Sequence, residues 1–392
     1  MTKCLRWLLA RWKMCLWVLT VVISLAVFGV FLRGDQKTVE TLPSQLAAQR
    51  WETEEKPYAL STVFLQDREG IPQKAVAEIR LGVENAMTAA GVASENHPWL
   101  YAFSRREQAE LKNGVASTTV EMNLISGDYF TIHPLSIRNG WYLDDSEVMR
   151  DRIILDRQTA WDLFYSDNVV GQYLEWKGHR YVVAAVVDTE SGKYNALAAG
   201  GTQRAWAFAD SPAADTNLGF TCVEMVLPQP VKGFGVSTLQ SVLEAYLPEG
   251  TTVLNNTDRF SILNRWQALR TISTRWMEFQ DGPYYENAAR LVENHLALRL
   301  IPEAMFAGFP IISLVIWLLM LNRKRTWGLY SIPAAIDRAV EKKRTRDYEA
   351  RLRGEDTGKK RKRKDAPRRK YRPRDTALDY SSKKYGITKR RK

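Results

Sequence analysis

Two uncharged apolar runs set the terms for everything between them. Residues 14–32 (MCLWVLTVVISLAVFGVFL) and 304–321 (AMFAGFPIISLVIWLLML) are each long enough, as helices, to cross a hydrocarbon core about 30 Å thick. Signal peptides have apolar cores of about 7–15 residues followed by small residues. Here Phe31-Leu32-Arg33-Gly34-Asp35 follows instead, which reads as a retained anchor. The second run stops at Asn322-Arg323-Lys324-Arg325, a stop-transfer pattern, and its Gly308 and Pro310 are tolerated in membrane helices.

Charge orients the pair. Residues 1–13 carry Lys3, Arg6, Arg11 and Lys13 with no acid, and residues 323–392 hold 27 basic and 9 acidic residues. Removing these and Arg33 from the net charge of +12 leaves −11 for residues 34–322. Lys and Arg stay cytoplasmic. Both ends are therefore expected in the cytoplasm, with the acidic middle outside. Cys4, Cys15 and Cys222 supply no disulfide framework, so the outer domain must rest on core burial.

The outer region reads as mixed α+β. Residues 34–50 are polar and unpatterned. A strand is expected at 58–65, then a helix at 74–90 whose Val76, Ile79, Val83, Met87 and Ala90 form one apolar stripe ending at Gly91. Strands follow at 99–103 and 116–125, then a short strand at 152–155 and a helix at 158–165. Residues 172–176 and 179–187 flank Lys177-Gly178, a two-residue hairpin connection. Strands at 204–209, 221–227 and 251–255 and a helix around 236–247 complete the domain. Helices at 261–280 and 285–300, separated by Gly282-Pro283, lead to the second span as a stalk or lie on the domain or membrane surface.

Within this layout stands "LISGDYFTIHPLSIRNGWYLDD", residues 124–145. Ser126-Gly127-Asp128-Tyr129-Phe130 is followed by Asn139-Gly140, Asp144-Asp145, Ile153-Ile154-Leu155, a helix ending in Leu163-Phe164, Val170-Gly171-Gln172 and Val182-Val183-Ala184-Ala185-Val186-Val187. This succession resembles the extracytoplasmic core domain of MacB/FtsX-type ABC transporter permeases over roughly residues 14–320. It departs from the family pattern at Trp141 (commonly Arg), Tyr165 (Gly) and Ala184-Ala185 (Gly). The resemblance implies a two-lobed domain, with a ferredoxin-like lobe at about 55–125 and 215–257 and an inserted mixed α/β lobe at about 126–212. It assigns 33–257 to the domain, 258–302 to a helical stalk, 303–321 to the second span and 322–392 to a basic tail. Gly127, Asp128, Tyr129, Phe130 and Gly140 would then build the lobe junction, each aromatic ring contributing about 1.5–3 kcal/mol when buried. The family's permeases have four spans, of which this sequence shows two.

Catalytic and metal signatures are not found. There is no P-loop, so any ATPase is a separate partner. His97, His133, His179 and His295 are scattered and read as solvent-facing or turn residues, and no Gly-x-Ser-x-Gly elbow exists. No enzyme, cofactor or metal is expected. In the tail, Lys359, Lys360, Arg361, Lys362, Arg363, Lys364, Arg368, Arg369 and Lys370 are too charged to bury and suit contact with anionic lipid; Tyr371 alone offers no stacking platform, so sequence-specific nucleic-acid binding is not expected. A helix at 334–353 precedes them.

The resemblance implies a permease-like subunit of an ABC transporter in a bacterial cytoplasmic membrane, oligomeric, working with a separate ATPase and further permease-like chains. The alternative is a two-pass scaffold or assembly protein that has lost transport.

Overall fold

The computed structural model describes residues 12–52, 57–65, 70–92, 98–188, 192–248, 251–275 and 282–352. The basic N-terminus, residues 276–280 of the expected helix and the lysine- and arginine-rich tail lie outside the described residues. The chain divides into two units, 1–316 and 317–392, and among the described residues the second consists of helix.

Both apolar runs are helical. Helix α1 (Trp12–Glu40) and helix α10 (Tyr284–Leu352) contain them, and their apolar windows are only 6% and 11% buried. Core helices of soluble domains are mostly buried, so the two support a two-pass membrane topology with a large domain between the spans. They also touch. Phe31 stacks on Phe306 with centroids 5.9 Å apart, and the Ser24 hydroxyl donates to the Phe306 carbonyl at 2.8 Å. Pro310, four residues on, has no N–H to offer that carbonyl, so Ser24 satisfies an acceptor that a proline has freed inside the apolar stretch.

Between the helices lies one continuous ten-stranded sheet. Its strands are β1 (Tyr58–Phe64), β2 (Leu100–Asn113), β3 (Ala116–Gly127), β4 (Ser136–Gly140), β5 (Arg152–Asp156), β6 (Tyr173–Trp176), β7 (His179–Asp188), β8 (Arg204–Phe208), β9 (Cys222–Pro228) and β10 (Leu254–Asn255). One end runs β10-β1-β9-β2, all antiparallel. Helices α3 (Val76–Ala89) and α7 (Phe234–Leu243) cover one face of it through Ile79, Val83, Met87, Leu239 and Leu243. That β-α-β-β-α-β order is ferredoxin-like.

The other end closes on itself. β2 pairs with β3, β3 with β8, β8 with β5, β5 with β7 and β7 with β6, and β6 returns to β2 through Leu111↔Trp176 and Lys112↔Glu175. Alternate residues Leu111, Met122, Leu124, Ile153, Leu155, Tyr181, Val183, Ala205 and Ala207 belong to its buried cluster, with Ala160 and Leu163 of α5 (Arg157–Phe164). Period-two alternation sends Ile154, Ala185, Trp206 and Phe208 to the second cluster. A register shift at Ile153/Ile154 against β7 carries both Val183 and Val186 into the first. The two lobes thus share β2 and β3, which are long enough, at 14 and 12 residues, to serve both.

Two turns repay inspection. Lys177 and Gly178 both have positive φ, 49° and 80°, as the primed hairpin turn requires. Tyr165 ends α5 at φ 54°, in the left-handed region that glycine occupies at least cost.

Residues 34–50 differ from their expected irregular reading. Helix α1 continues past the apolar run to Glu40, and a 3-10 turn (Pro43–Leu46) and α2 (Ala47–Trp51) follow. Polar residues hold this segment because Asp35 is buried against arginines.

Candidate functional site

Gly127 ends β3 at φ +79°, and a Cβ there would sit 2.5 Å from the Tyr101 ring and carbonyl. Asp128 then locks onto the neighbouring strand. Its N–H donates to the Tyr101 carbonyl at 2.7 Å, and its carboxylate accepts from the Tyr101 N–H at 3.2 Å. Burial, the largest effect, pushes the Asp128 carboxyl above its ordinary range, against the opposing pull of that hydrogen bond. The single turn α4 (Tyr129–Ile132) follows, with Tyr129 and Phe130 buried edge to face at 5.3 Å. Phe130 also stacks on Tyr142 at 4.8 Å, and Tyr142 donates to the Leu135 carbonyl. Gly140, φ +92°, closes the segment where a Cβ would meet the Ala184 carbonyl at 2.0 Å. Gly127, Asp128, Tyr129 and Phe130 form one contiguous turn against β2, and Gly140 packs separately against β7.

One residue beyond that turn is His133, which the sequence placed in a turn or facing solvent. It is buried. Its Nε2 lies 2.5 Å from Oε2 of Glu224 on β9, and Tyr285, in the first turn of α10, donates its hydroxyl to the same oxygen at 2.8 Å. Thr62 of β1 donates to Oε1 at 3.3 Å and receives the Asn256 amide at 2.9 Å. The His133 and Tyr285 rings meet at a tilt of 33° with centroids 4.2 Å apart, and the Cys222 thiol lies 3.7 Å from the Tyr285 hydroxyl. Side chains from β1, the residue after α4, and α10 therefore converge on one carboxylate of β9, and Asn256 after β10 holds the Thr62 hydroxyl that reaches it.

Burial pushes the Glu224 carboxyl up, but the charge and hydrogen bond of His133, with those of Tyr285 and Thr62, outweigh it and hold the group below the ordinary glutamate range. The same burial, reinforced by Glu224, drives the Cys222 thiol well above its usual value, which disfavours the thiolate. His133, Glu224 and Tyr285 are 2%, 1% and 3% exposed, so the cluster is part of the packed interior. Its hydrogen bonds fix the positions of the elements that carry these residues. Among the described residues no group of three or more His, Cys, Asp or Glu could hold a metal ion.

Two further polar layers follow along α10. Arg259 makes a two-pronged contact with Glu286 at 2.6 and 2.7 Å and reaches Glu293 at 3.2 Å. Arg265, on α8 (Ile262–Arg270), pairs with Asp35 of α1 at 3.0 Å and Glu303 of α10 at 2.8 Å, while Arg299 pairs with Asp35 at 2.8 Å. From Tyr285 to Glu303 is about 27 Å of helix. Buried ion pairs of this kind specify geometry more than they stabilise, yet removing one partner costs about 3–5 kcal/mol.

Sequence reasoning missed these partners. Glu224 was detectable as the lone acidic residue in the apolar strand Cys222–Pro228. The proposed lipid-contact residues from Lys359 to Lys370 lie outside the described residues.

No protein-family model matches this chain, and no curated protein matches it. Solved structures similar to it include the extracellular domain of the noncanonic ABC-type transporter YknZ from Gram-positive bacteria, at 14% identity and TM-score 0.35, covering 50% of this chain and 100% of that one. The periplasmic region of MacB from Actinobacillus actinomycetemcomitans is 12% identical, TM-score 0.36, covering 50% and 88%. A domain of a putative permease from Porphyromonas gingivalis is 11% identical, TM-score 0.30, covering 50% and 86%. A likeness of this depth does not extend to activity, substrate or partner.

Proposed function

We propose that this chain is a membrane-anchored, permease-like subunit of an ABC transporter system, whose domain outside the cytoplasm binds a partner or substrate and passes motion to the membrane. The observation that carries the reading is the Tyr285–Glu224–His133 contact: the sheet grips the first turn of the same helix that continues into the second apolar run. A displacement of α4 or β9 is thereby a displacement of α10, with Arg259 and Arg265 repeating the grip farther along. The distribution of basic residues and the succession of motifs from Ser126 to Val187 support the same reading.

In this reading residues 33–257 form the outer domain, with the lobes meeting at Gly127, Asp128, Tyr129, Phe130 and Gly140, and residues 258–302 form its stalk. The tail from Lys359 to Lys370 lies against anionic inner-leaflet lipid. ATP hydrolysis is supplied by a separate ATP-binding-cassette subunit, within an oligomer of permease-like chains.

Affinity purification from native membranes tests this. Recovery of an ATP-binding-cassette subunit whose ATPase rate changes in the Tyr285→Phe variant supports the proposal. Recovery of other proteins without any such ATPase contradicts it and favours the scaffold.

A further inference from the structure

Helix α8 is amphipathic the wrong way round for a soluble surface. Its Arg265 and Ala268 are buried, the arginine held by Asp35 and Glu303. Ile262, Leu263 and Trp266, by contrast, are 73%, 67% and 52% exposed. With Leu269 they form one wall of an apolar groove of about 900 Å³, whose other wall is Leu300, Ile301, Ala304 and Met305 of α10. Those four straddle Glu303, the last charged residue before the uncharged run, so the groove opens at the level where hydrocarbon begins and is continuous with the exposed apolar face of Met305, Phe309 and Ile312.

Resting on the two-span reading above, we infer that α8 lies in the outer membrane interface and that the groove between it and α10 holds an acyl chain of a bilayer phospholipid. The continuity of the groove with the span selects this occupant. A helix with an apolar face of Ile, Leu and Trp lies along the headgroup boundary, and indole is favoured at that depth. The buried Arg265 ties α8 to both α1 and α10, so a lipid seated here bears directly on the ion pairs that join the two helices.

The test uses the full chain in nanodiscs of defined phosphatidylethanolamine and phosphatidylglycerol, with a photo-crosslinking phenylalanine analogue at one position at a time: Trp266, Ile312 within the second run, and Val115 on the distant β2–β3 turn. Lipid adducts by mass spectrometry at Trp266 and Ile312 but not Val115 are expected. The variant Leu263→Asp, altering an exposed residue, should lower the Trp266 adduct about tenfold. Adducts at Ile312 without any at Trp266 overturn the inference while sparing the span reading. Adducts at Trp266 to a polypeptide, or lipid adducts equally at Val115, also overturn it. Absence at both Trp266 and Ile312 overturns the two-span reading itself.

Discussion

His133 Nε2 stands 2.5 Å from Glu224 Oε2, which fastens the residue after α4 to β9. An isolated buried carboxylate costs several kcal/mol to desolvate. Three neighbours, Thr62, His133 and Tyr285, supply the compensation, and each arrives from a different part of the chain.

Removing the Glu224 charge should loosen this joint. Glu224→Gln is expected to cost about 1.5–3 kcal/mol of stability, the worth of hydrogen bonds to a charged group, and Tyr285→Phe about 1 kcal/mol. Thermal unfolding of the full chain in nanodiscs measures both. If the two losses simply add, the contacts are not coupled.

Acid sensitivity follows from the same group. The native Glu224 carboxyl titrates below its unfolded value of about 4.3. Its contribution is therefore fully present above that pH and is lost as pH falls through the lower native value. Melting temperature against pH should fall less steeply below about pH 4 in Glu224→Gln than in the parent chain.

Tyr165 carries a left-handed backbone without being glycine. Its side chain is exposed, so Tyr165→Gly sacrifices little packing and should stabilise by up to about 1 kcal/mol. Gly140→Ala should do the reverse, by more than about 1 kcal/mol, since its Cβ would collide with the Ala184 carbonyl. Denaturant midpoints distinguish the two signs.

Inside the apolar pair, Ser24→Ala leaves the Phe306 carbonyl without its donor. A loss of about 0.6–2 kcal/mol in α1–α10 association is expected. Restoring an N–H with Pro310→Ala should recover most of it, because the carbonyl regains its own helical partner. Steric-trap or unfolding measurements in bicelles read this cycle.

Local patterns carried much of the fold. The stripe from Val76 to Met87, the Lys177-Gly178 turn and the two apolar runs are properties of short windows, and each stands where periodicity and turn chemistry place it. Closure of the barrel is different. It depends on Leu111 meeting Trp176 across more than sixty residues of chain, a pairing that no local alternation encodes. The candidate site was half legible: Gly127 to Phe130 stood out for their turn and aromatic chemistry, whereas His133, Glu224 and Tyr285 acquire meaning only from one another. Asp35 and Arg265 were hidden for the same reason, being polar residues buried solely because they pair.

Hydrogen exchange on the full chain is the most direct measurement of whether the sheet grips α10. Amides of β9 and of residues 286–303 should exchange with matching opening free energies, and Glu224→Gln should lower both together. If residues 286–303 open well before β9 and the variant leaves them unchanged, α10 is not held by the sheet and the coupling mechanism is wrong.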